Sequence, residues 1–339
     1  MTTRNRAKLV GQTLDSILPQ VTEEVEIVVV DGASTDGTEE VVRSYQKRFP
    51  SLAYHRKDRN SGVDRDYNAS VEAARGEYCW FMSDDDLVKP GALRRVLDAV
   101  EKGYSAIVVN AEDWNDDFTL RLAKNRLSFT TDRVYRPGES ERFFIDTVYY
   151  LSFIPGLVIR RDLWLSRERE RYFGSWFAHV GVVFQRPLPD GALAIADPLI
   201  AIRNGNISWG SRIFEIWLIR WPELIWSLPG FSDSTKRRIC PKNPSKNLKS
   251  LFAFRALGNY TINDYRKFIM NGTSHGMSRY ISFLISITPI MLANTLSLLY
   301  SLIVFPKSSI PFYNITRSEY CIFFRLFQRI RRERMARNG

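Results

Sequence analysis

The chain has 339 residues, 45% hydrophobic and 25% charged, with a net charge of +11, which fits one large globular domain or two moderate ones and excludes a disordered or collagen-like chain. The charge is uneven: residues 1–200 carry 27 Lys and Arg against 31 Asp and Glu, whereas residues 201–339 carry 21 against 6. A near-neutral front half suits chemistry, and a basic back half suits an anionic surface.

Residues 9–18 place apolar side chains at helical spacing and stop at Pro19. Residues 26–30 form a β-branched run that reads as a buried parallel strand, followed by a helix over 38–47 with Asp36 in the cap and Glu39 three residues on. A short strand over 52–55, a helix over 66–75, a strand over 78–82 and an amphipathic helix from Pro90 to Gly103 continue the alternation. A strand over 106–109 completes it. Such β-α-β repetition predicts an α/β fold with a doubly wound, mostly parallel sheet. Residues 110–150 lack clear periodicity; a strand over 156–160 and a charged helix over 161–170 follow.

Cys79, Cys240 and Cys321 are widely spaced and form no C-x-x-C pair, so neither a disulfide framework nor a zinc site is indicated. The polar, basic residues 1–11 contain no apolar run of the signal-peptide kind, and a cytoplasmic setting for the front half is expected.

Two acidic clusters follow predicted strands: Asp31 to Asp36 after residues 25–30, and Asp84, Asp85 and Asp86 after residues 78–82. In open α/β sheets ligands sit beyond the carboxyl ends of the strands, and three adjacent acids repel one another without a cation. A helix cap at Pro90 would need only one of them.

The succession VEIVVVDGASTDGT, NSGVDRDYN and GEYCWFMSDDDLVKPGAL resembles the nucleotide-binding half of family 2 glycosyltransferases of the GT-A fold. PGLVIRRDLW and GSWFAHVGVVFQ resemble, more narrowly, the abequosyltransferase-like subgroup of bacterial O-antigen assembly. The resemblance implies that Asp31 contacts the base or ribose of a nucleotide-diphosphate sugar, with Ser34 and Asp36 shaping its turn. It places Asp64 at a second nucleotide contact, Arg65 near phosphate and Asp84 beside the nucleotide. Mg²⁺ or Mn²⁺ is expected on Asp85 or Asp86, against the pyrophosphate. Ser83 stands where the family usually has an acid.

The family's Glu-Asp motif, which carries its general base, is absent; His179 stands near its place. His179 is therefore a candidate base, with a packed structural histidine beside Trp176 as the alternative and Asp146 and Asp190 as substitutes. The family's opening apolar strand is also missing before Thr3, and a start chosen downstream is the expected reason.

The expected domains are a catalytic region over 1–205 and a helical, basic, membrane-associating region over 206–339. Residues 281–305 contain no charge, about 37 Å if helical, so a spanning helix, an interfacial or re-entrant hairpin and a buried tail are all open. Arg279, Lys307, the arginines of 325–337 and Trp209, Trp217, Trp221 and Trp226 suit an anionic membrane surface. Long apolar runs without a nucleic-acid module argue against nucleic acid. The expected function is transfer of a sugar to a lipid-linked oligosaccharide at the cytoplasmic face of the bacterial inner membrane, the protein being peripheral or monotopic there. A sugar-phosphate nucleotidyltransferase and a noncatalytic remnant are the alternatives.

Overall fold

The computed structural model describes residues 1–206, 210–270, 276–304 and 309–324. The chain divides into two compact units: Met1–Thr119, Lys124–Asn204 and Leu224–Ile239 form the first, and Leu120–Ala123, Gly205–Glu223 and Cys240–Gly339 the second.

The first unit opens with β1 (Thr2–Thr3), α1 (Val10–Ile17), β2 (Ile27–Asp31), α2 (Thr38–Arg48), β3 (Leu52–Arg56) and α3 (Val63–Ala73). Its three strands pair in parallel in the order β1-β2-β3, with Thr2 opposite Val30 and Ile27 opposite Leu52. β2 is buried along its whole length, as a parallel strand covered on both faces must be. Sequence reasoning left out β1, yet Met1–Thr3 does join the sheet: the Val30 amide donates to the Met1 carbonyl at 3.0 Å and the Gly32 amide to that of Thr3 at 2.9 Å.

The chain continues through β4 (Tyr78–Trp80), β5 (Leu87–Val88), α4 (Ala92–Val100), β6 (Ala106–Trp114), β7 (Arg121–Ala123), β8 (Arg133–Tyr135), α5 (Ser140–Thr147), β9 (Leu157–Arg160), α6 (Arg161–Ser166), α7 (Ala178–Phe184) and β10 (Ala192–Arg203). A second sheet has the order β4-β9-β6-β10-β5, with β8 also paired to β10. β6 and β10 run parallel on either side of a register shift between Ile195 and Ile200, while β9 and β5 join antiparallel, so the α/β architecture has one parallel and one mixed sheet. Val29, Ile107, Val109, Leu193 and Ile195 form the core of the unit, covered by Leu14 of α1 and Leu93 and Val96 of α4.

Two elements differ from expectation for identifiable reasons. α3 begins at Val63, so that Asp64 and Asp66 fall in its first turn, where carboxylates are favoured. The helix expected over 161–170 ends at Ser166, because the buried Arg167 turns its guanidinium onto the carbonyls of Val182, Val183 and Pro187, each at 2.7 Å.

The second unit is helical. The run α8 (Ile213–Glu215), a π-helical stretch (Ile216–Arg220) and α9 (Trp221–Ser227) leads back to the first unit, which also holds α10 (Asp233–Ile239). α11 (Leu248–Ala256), α12 (Ile262–Asp264), α13 (Met277–Ile287), α14 (Ile290–Val304) and α15 (Ile310–Arg317) complete it. Phe214 stacks on Tyr260 with ring centroids 4.9 Å apart, in a cluster with Leu218, Leu251 and Ile269. Trp209, Lys307 and the arginines of 325–337 lie outside the described residues.

Candidate active site

Three segments converge at the carboxyl ends of the strands. The stretch after β1 lies along the turn that follows β2: the Asn5 amide donates to Ser34 Oγ at 2.9 Å, the Thr35 amide to Asn5 Oδ1 at 2.8 Å and the Arg6 amide to Thr38 Oγ1 at 2.8 Å. Asn5 and Ala33 both adopt the left-handed backbone conformation, with φ of 56° and 63°. Non-glycine residues rarely adopt it, and such local strain is concentrated at ligand sites.

Asp31, Ser34 and Asp36 hold this turn from within. The fully buried Asp31 carboxylate accepts from the Ser34 amide and the Tyr54 hydroxyl, both at 2.7 Å. Asp36 accepts from the amides of Thr38 at 3.0 Å and Ala7 at 3.2 Å. Partial burial pushes its carboxyl up, but these bonds and the Thr38 hydroxyl together hold it below the usual range.

From this segment the Arg6 side chain crosses to the acidic triplet, with Nε 3.4 Å from Asp84 and Nη2 3.6 Å from Asp85. Burial, then the neighbouring Asp85, pushes Asp84 up to about 7 against the pull of Arg6. Asp86 is raised well above the normal range, by burial first and Asp85 second. Its carboxylate accepts from Ser83 Oγ and from the Arg203 amide at 2.9 Å. Both oxygens of Asp86, expected as a metal ligand, are thus engaged in the packing of the loop. Asp84 and Asp85 instead converge on one cation, the Arg6 guanidinium, and this hard-oxygen pair fits Mg²⁺ or Mn²⁺, which commonly take one or two carboxylates with substrate phosphates. Among the described residues, no group of three or more His, Cys, Asp or Glu side chains is placed to hold a metal.

Other expected site residues lie elsewhere or are engaged. The buried Asp64 accepts from the amides of Gly174 at 2.8 Å, Trp176 at 3.0 Å and Ala178 at 3.2 Å, so it shapes the loop before α7 and its carboxylate is not presented to a nucleotide. That loop is strained at Trp176, whose φ is 72°. Burial raises the Asp64 carboxyl above its ordinary value although the three amides oppose it. Arg65 lies over the Phe173 ring, 4.8 Å from its centroid, where phosphate was expected.

His179 is 3% exposed, and its Nε2 donates to the Leu151 carbonyl at 2.6 Å. Burial pushes the ring down to about 4, with the Leu151 bond opposing. A ring closed off from solvent and from an acceptor hydroxyl is not placed to act as a base, which leaves the packed histidine of the two sequence readings. Asp146 accepts from Arg133 Nη1 and the Tyr135 hydroxyl, both at 2.9 Å. Asp190 pairs with Arg160 at 2.7 Å and precedes β10, at the end of that strand opposite to Arg203. Neither joins the triplet.

Residues 1–162 match the family described as Glycosyl transferase family 2. The chain carries a family 2 glycosyltransferase domain. It is 27% identical to the abequosyltransferase RfbV of Salmonella typhimurium over 228 residues, 62% of this chain and 67% of that protein. It is 31% identical to the GalNAc(5)-diNAcBac-PP-undecaprenol beta-1,3-glucosyltransferase of Campylobacter jejuni over 109 residues, 32% of this chain and 35% of that one. The chain thus spans about two thirds of the first relative and about a third of the second. The crystal structure of S. aureus TarS 1-349 superimposes with a TM-score of 0.55 at 16% identity, covering 96% of this chain and 90% of that one, so the fold is shared.

Beyond the matched residues, the one that sequence reading missed is Arg203, at the carboxyl end of β10. Its guanidinium donates to the Asp85 carbonyl at 2.9 Å, to Gln12 Oε1 at 2.6 Å and to the Asp116 carbonyl, and lies 4.4 Å from the Phe118 ring centroid. Burial lowers its pKa, against the pull of Asp85 and Asp86. It locks the acidic loop onto the loop after β6. The signal was available, since the stretch 192–202, apolar but for Asp197, ends in Arg203-Asn204, polar groups at a strand end like the acids after residues 30 and 82.

Proposed function

We propose that this protein transfers a sugar from a nucleotide-diphosphate donor to a lipid-linked oligosaccharide in bacterial surface-polysaccharide assembly of the O-antigen type, at the cytoplasmic face of the membrane and with Mg²⁺ or Mn²⁺. The observation that carries this reading is the convergence of Asp84, Asp85 and Arg6 beside the Asp31–Asp36 turn, a paired acidic and basic site at the carboxyl ends of the strands. The named Salmonella and Campylobacter relatives support the sugar-transfer class and the lipid-linked acceptor. Structures of TarS with UDP and with UDP-GlcNAc, at TM-scores of 0.55 and 0.52, are consistent with such a donor.

When bound, a divalent cation held by Asp85 and Asp84 would neutralise the diphosphate of the departing nucleotide. The protein's own groups then have distinct tasks. Asn5 and Ser34 fix the floor on which the nucleoside lies. Arg203 and Ser83 hold the acidic loop from behind, so that its carboxylates are oriented before the donor arrives. Arg6, the counterion of Asp84 and Asp85, is within reach of the phosphates once those carboxylates take another cation.

The test is to incubate the full chain with uridine, cytidine, guanosine and deoxythymidine diphosphate sugars, Mn²⁺ and a lipid-diphosphate oligosaccharide, reading acceptor mass and nucleotide release. One donor should add a single sugar residue, and Asp85→Asn should abolish the addition. Nucleotide release with no gain in acceptor mass from any donor would refute the transferase reading.

A further inference from the structure

In the second unit, α13 and α14 bury four polar side chains alongside Ile285, Ala293 and Leu298, and expose many of their large apolar ones. On α14, Asn294 and Ser301 are buried, while Met291, Leu292, Leu296, Leu299 and Ile303 are exposed, Ile303 to 85%. On α13, Ser282 and Ser286 are buried, with Leu284 and Ile287 exposed. A helix facing water presents the reverse pattern. Most of these side chains, about half exposed, forgo about half of the roughly 1.5–3 kcal/mol that full burial brings, and Ile303 most of it, so a set of this size implies a covering phase.

The pair is also fixed in a bent form. The two helices meet at 106°. Thr288 adopts an extended conformation, as the residue before Pro289 is driven to do, and its carbonyl accepts from Arg255 Nε of α11 at 2.6 Å. Six residues on, Asn294 Nδ2 donates to the Ala256 carbonyl at 3.0 Å, tying α14 to the end of α11. No single helix among the described residues is long and apolar enough to cross a membrane. α13 and α14, with 11 and 15 residues, reach about 16 and 22 Å, short of a hydrocarbon core of about 30 Å. Straightening the pair into one span would break both anchoring bonds and carry their polar groups into lipid.

We infer that the exposed faces of α13 and α14 rest in one leaflet of an anionic bilayer, holding the protein monotopically, without a transmembrane span. The net charge of +15 over residues 201–339 selects an anionic surface over a second copy of this equally basic chain, which it would repel. The inference is carried by the second unit alone and does not depend on which sugar is transferred.

Flotation of the full-length protein with phosphatidylcholine vesicles, with and without phosphatidylglycerol, tests it. The wild type should float with the anionic vesicles and stay with them in about 1 M salt, where the Debye length is only about 3 Å and purely electrostatic contacts fail. Leu292→Asp with Leu296→Asp should reduce the floated fraction about tenfold or more, because a carboxylate in the hydrocarbon is costly, with the melting temperature unchanged. Leu292→Ser with Leu296→Ser gives a milder pair should the first disturb folding. Sedimentation equilibrium without vesicles should show no dimer that these substitutions dissociate. Failure of the wild type to float, flotation abolished by salt alone, undiminished flotation of a folded double variant, or such a dimer would each overturn the inference. Because vesicle binding is read without turnover, its failure is separate from failure of the transferase reading.

Discussion

His179→Gln should remove a pH liability from the fold while leaving the turnover of folded protein within about threefold of the wild type. The ring is buried and donates to the Leu151 carbonyl at 2.6 Å, and folding lowers its pKa from 6.5 to about 4, burial being the cause. The pKa is depressed, so the stabilisation that the neutral ring allows is fully present above pH 6.5 and is lost as pH falls to about 4, because the unfolded chain takes up a proton that the fold refuses. At about 1.4 kcal/mol per pH decade, this difference makes the fold lose about 3 kcal/mol across the window. Glutamine does not titrate and keeps a donor for Leu151, at a cost of about 1 kcal/mol in bond geometry and packing.

Urea unfolding at a series of pH values from 7 down to 4 gives the comparison. At pH 7 the variant should be the less stable by about 1 kcal/mol; the two curves should cross, and near pH 4 the variant should be the more stable by about 2 kcal/mol. A general base typically contributes about 10²–10⁴ in rate. A fall in turnover of that size, with a stability difference that does not change with pH, would refute the reasoning and restore His179 as the base.

Asp85→Asn should abolish Mn²⁺-dependent nucleotide binding with little change in melting temperature; isothermal titration reads the first and calorimetry the second. Arg6→Gln removes the guanidinium that pairs with Asp84 and Asp85, so Mn²⁺ binding without nucleotide, read by electron paramagnetic resonance, should tighten about tenfold, the equivalent of about 1.4 kcal/mol. Unchanged or weaker binding would show that Arg6 does not compete with the cation. Asp64→Asn sets an amide donor against the amides of Gly174 and Trp176, costing about 3 kcal/mol and, for a unit of this size, lowering the melting temperature by about 6–12 °C. A melting temperature within about 2 °C of the wild type would contradict that role.

The front of the fold was legible because its periods are unmixed. The β-branched run of β2 and the helical spacings of α1, α2 and α4 follow from local preference alone. The region after residue 109 was opaque because β6 continues to Trp114 with Asn110, Glu112 and Asp113 buried in it, and polar residues inside a strand erase the apolar alternation. Asn110 is satisfied there by the Ala196 carbonyl, and Asp113 by Arg126 and Asn204.

The site follows the same division. That carboxylates gather at strand ends is a local property, and the sequence shows it at Asp31 and Asp84 to Asp86. Which of them face outward is decided by partners far along the chain: Asp64 is engaged by amides 110 to 114 residues later, and Asp86 by the Arg203 amide 117 residues later. A resemblance between motifs preserves the acids while saying nothing of what the rest of the fold does with each. Here the loop leading into α7, the first residue of α7 and the end of β10 supply those amides, so the first turn of α3 with Asp64 and the loop with Asp86 are stitched to the later part of the first unit, and Asp84 and Asp85 are left facing the Arg6 guanidinium. If these two carboxylates take the cation proposed above, the Arg6 guanidinium beside them must give way to it, and the metal affinity is then set by Arg6 as much as by the acids themselves.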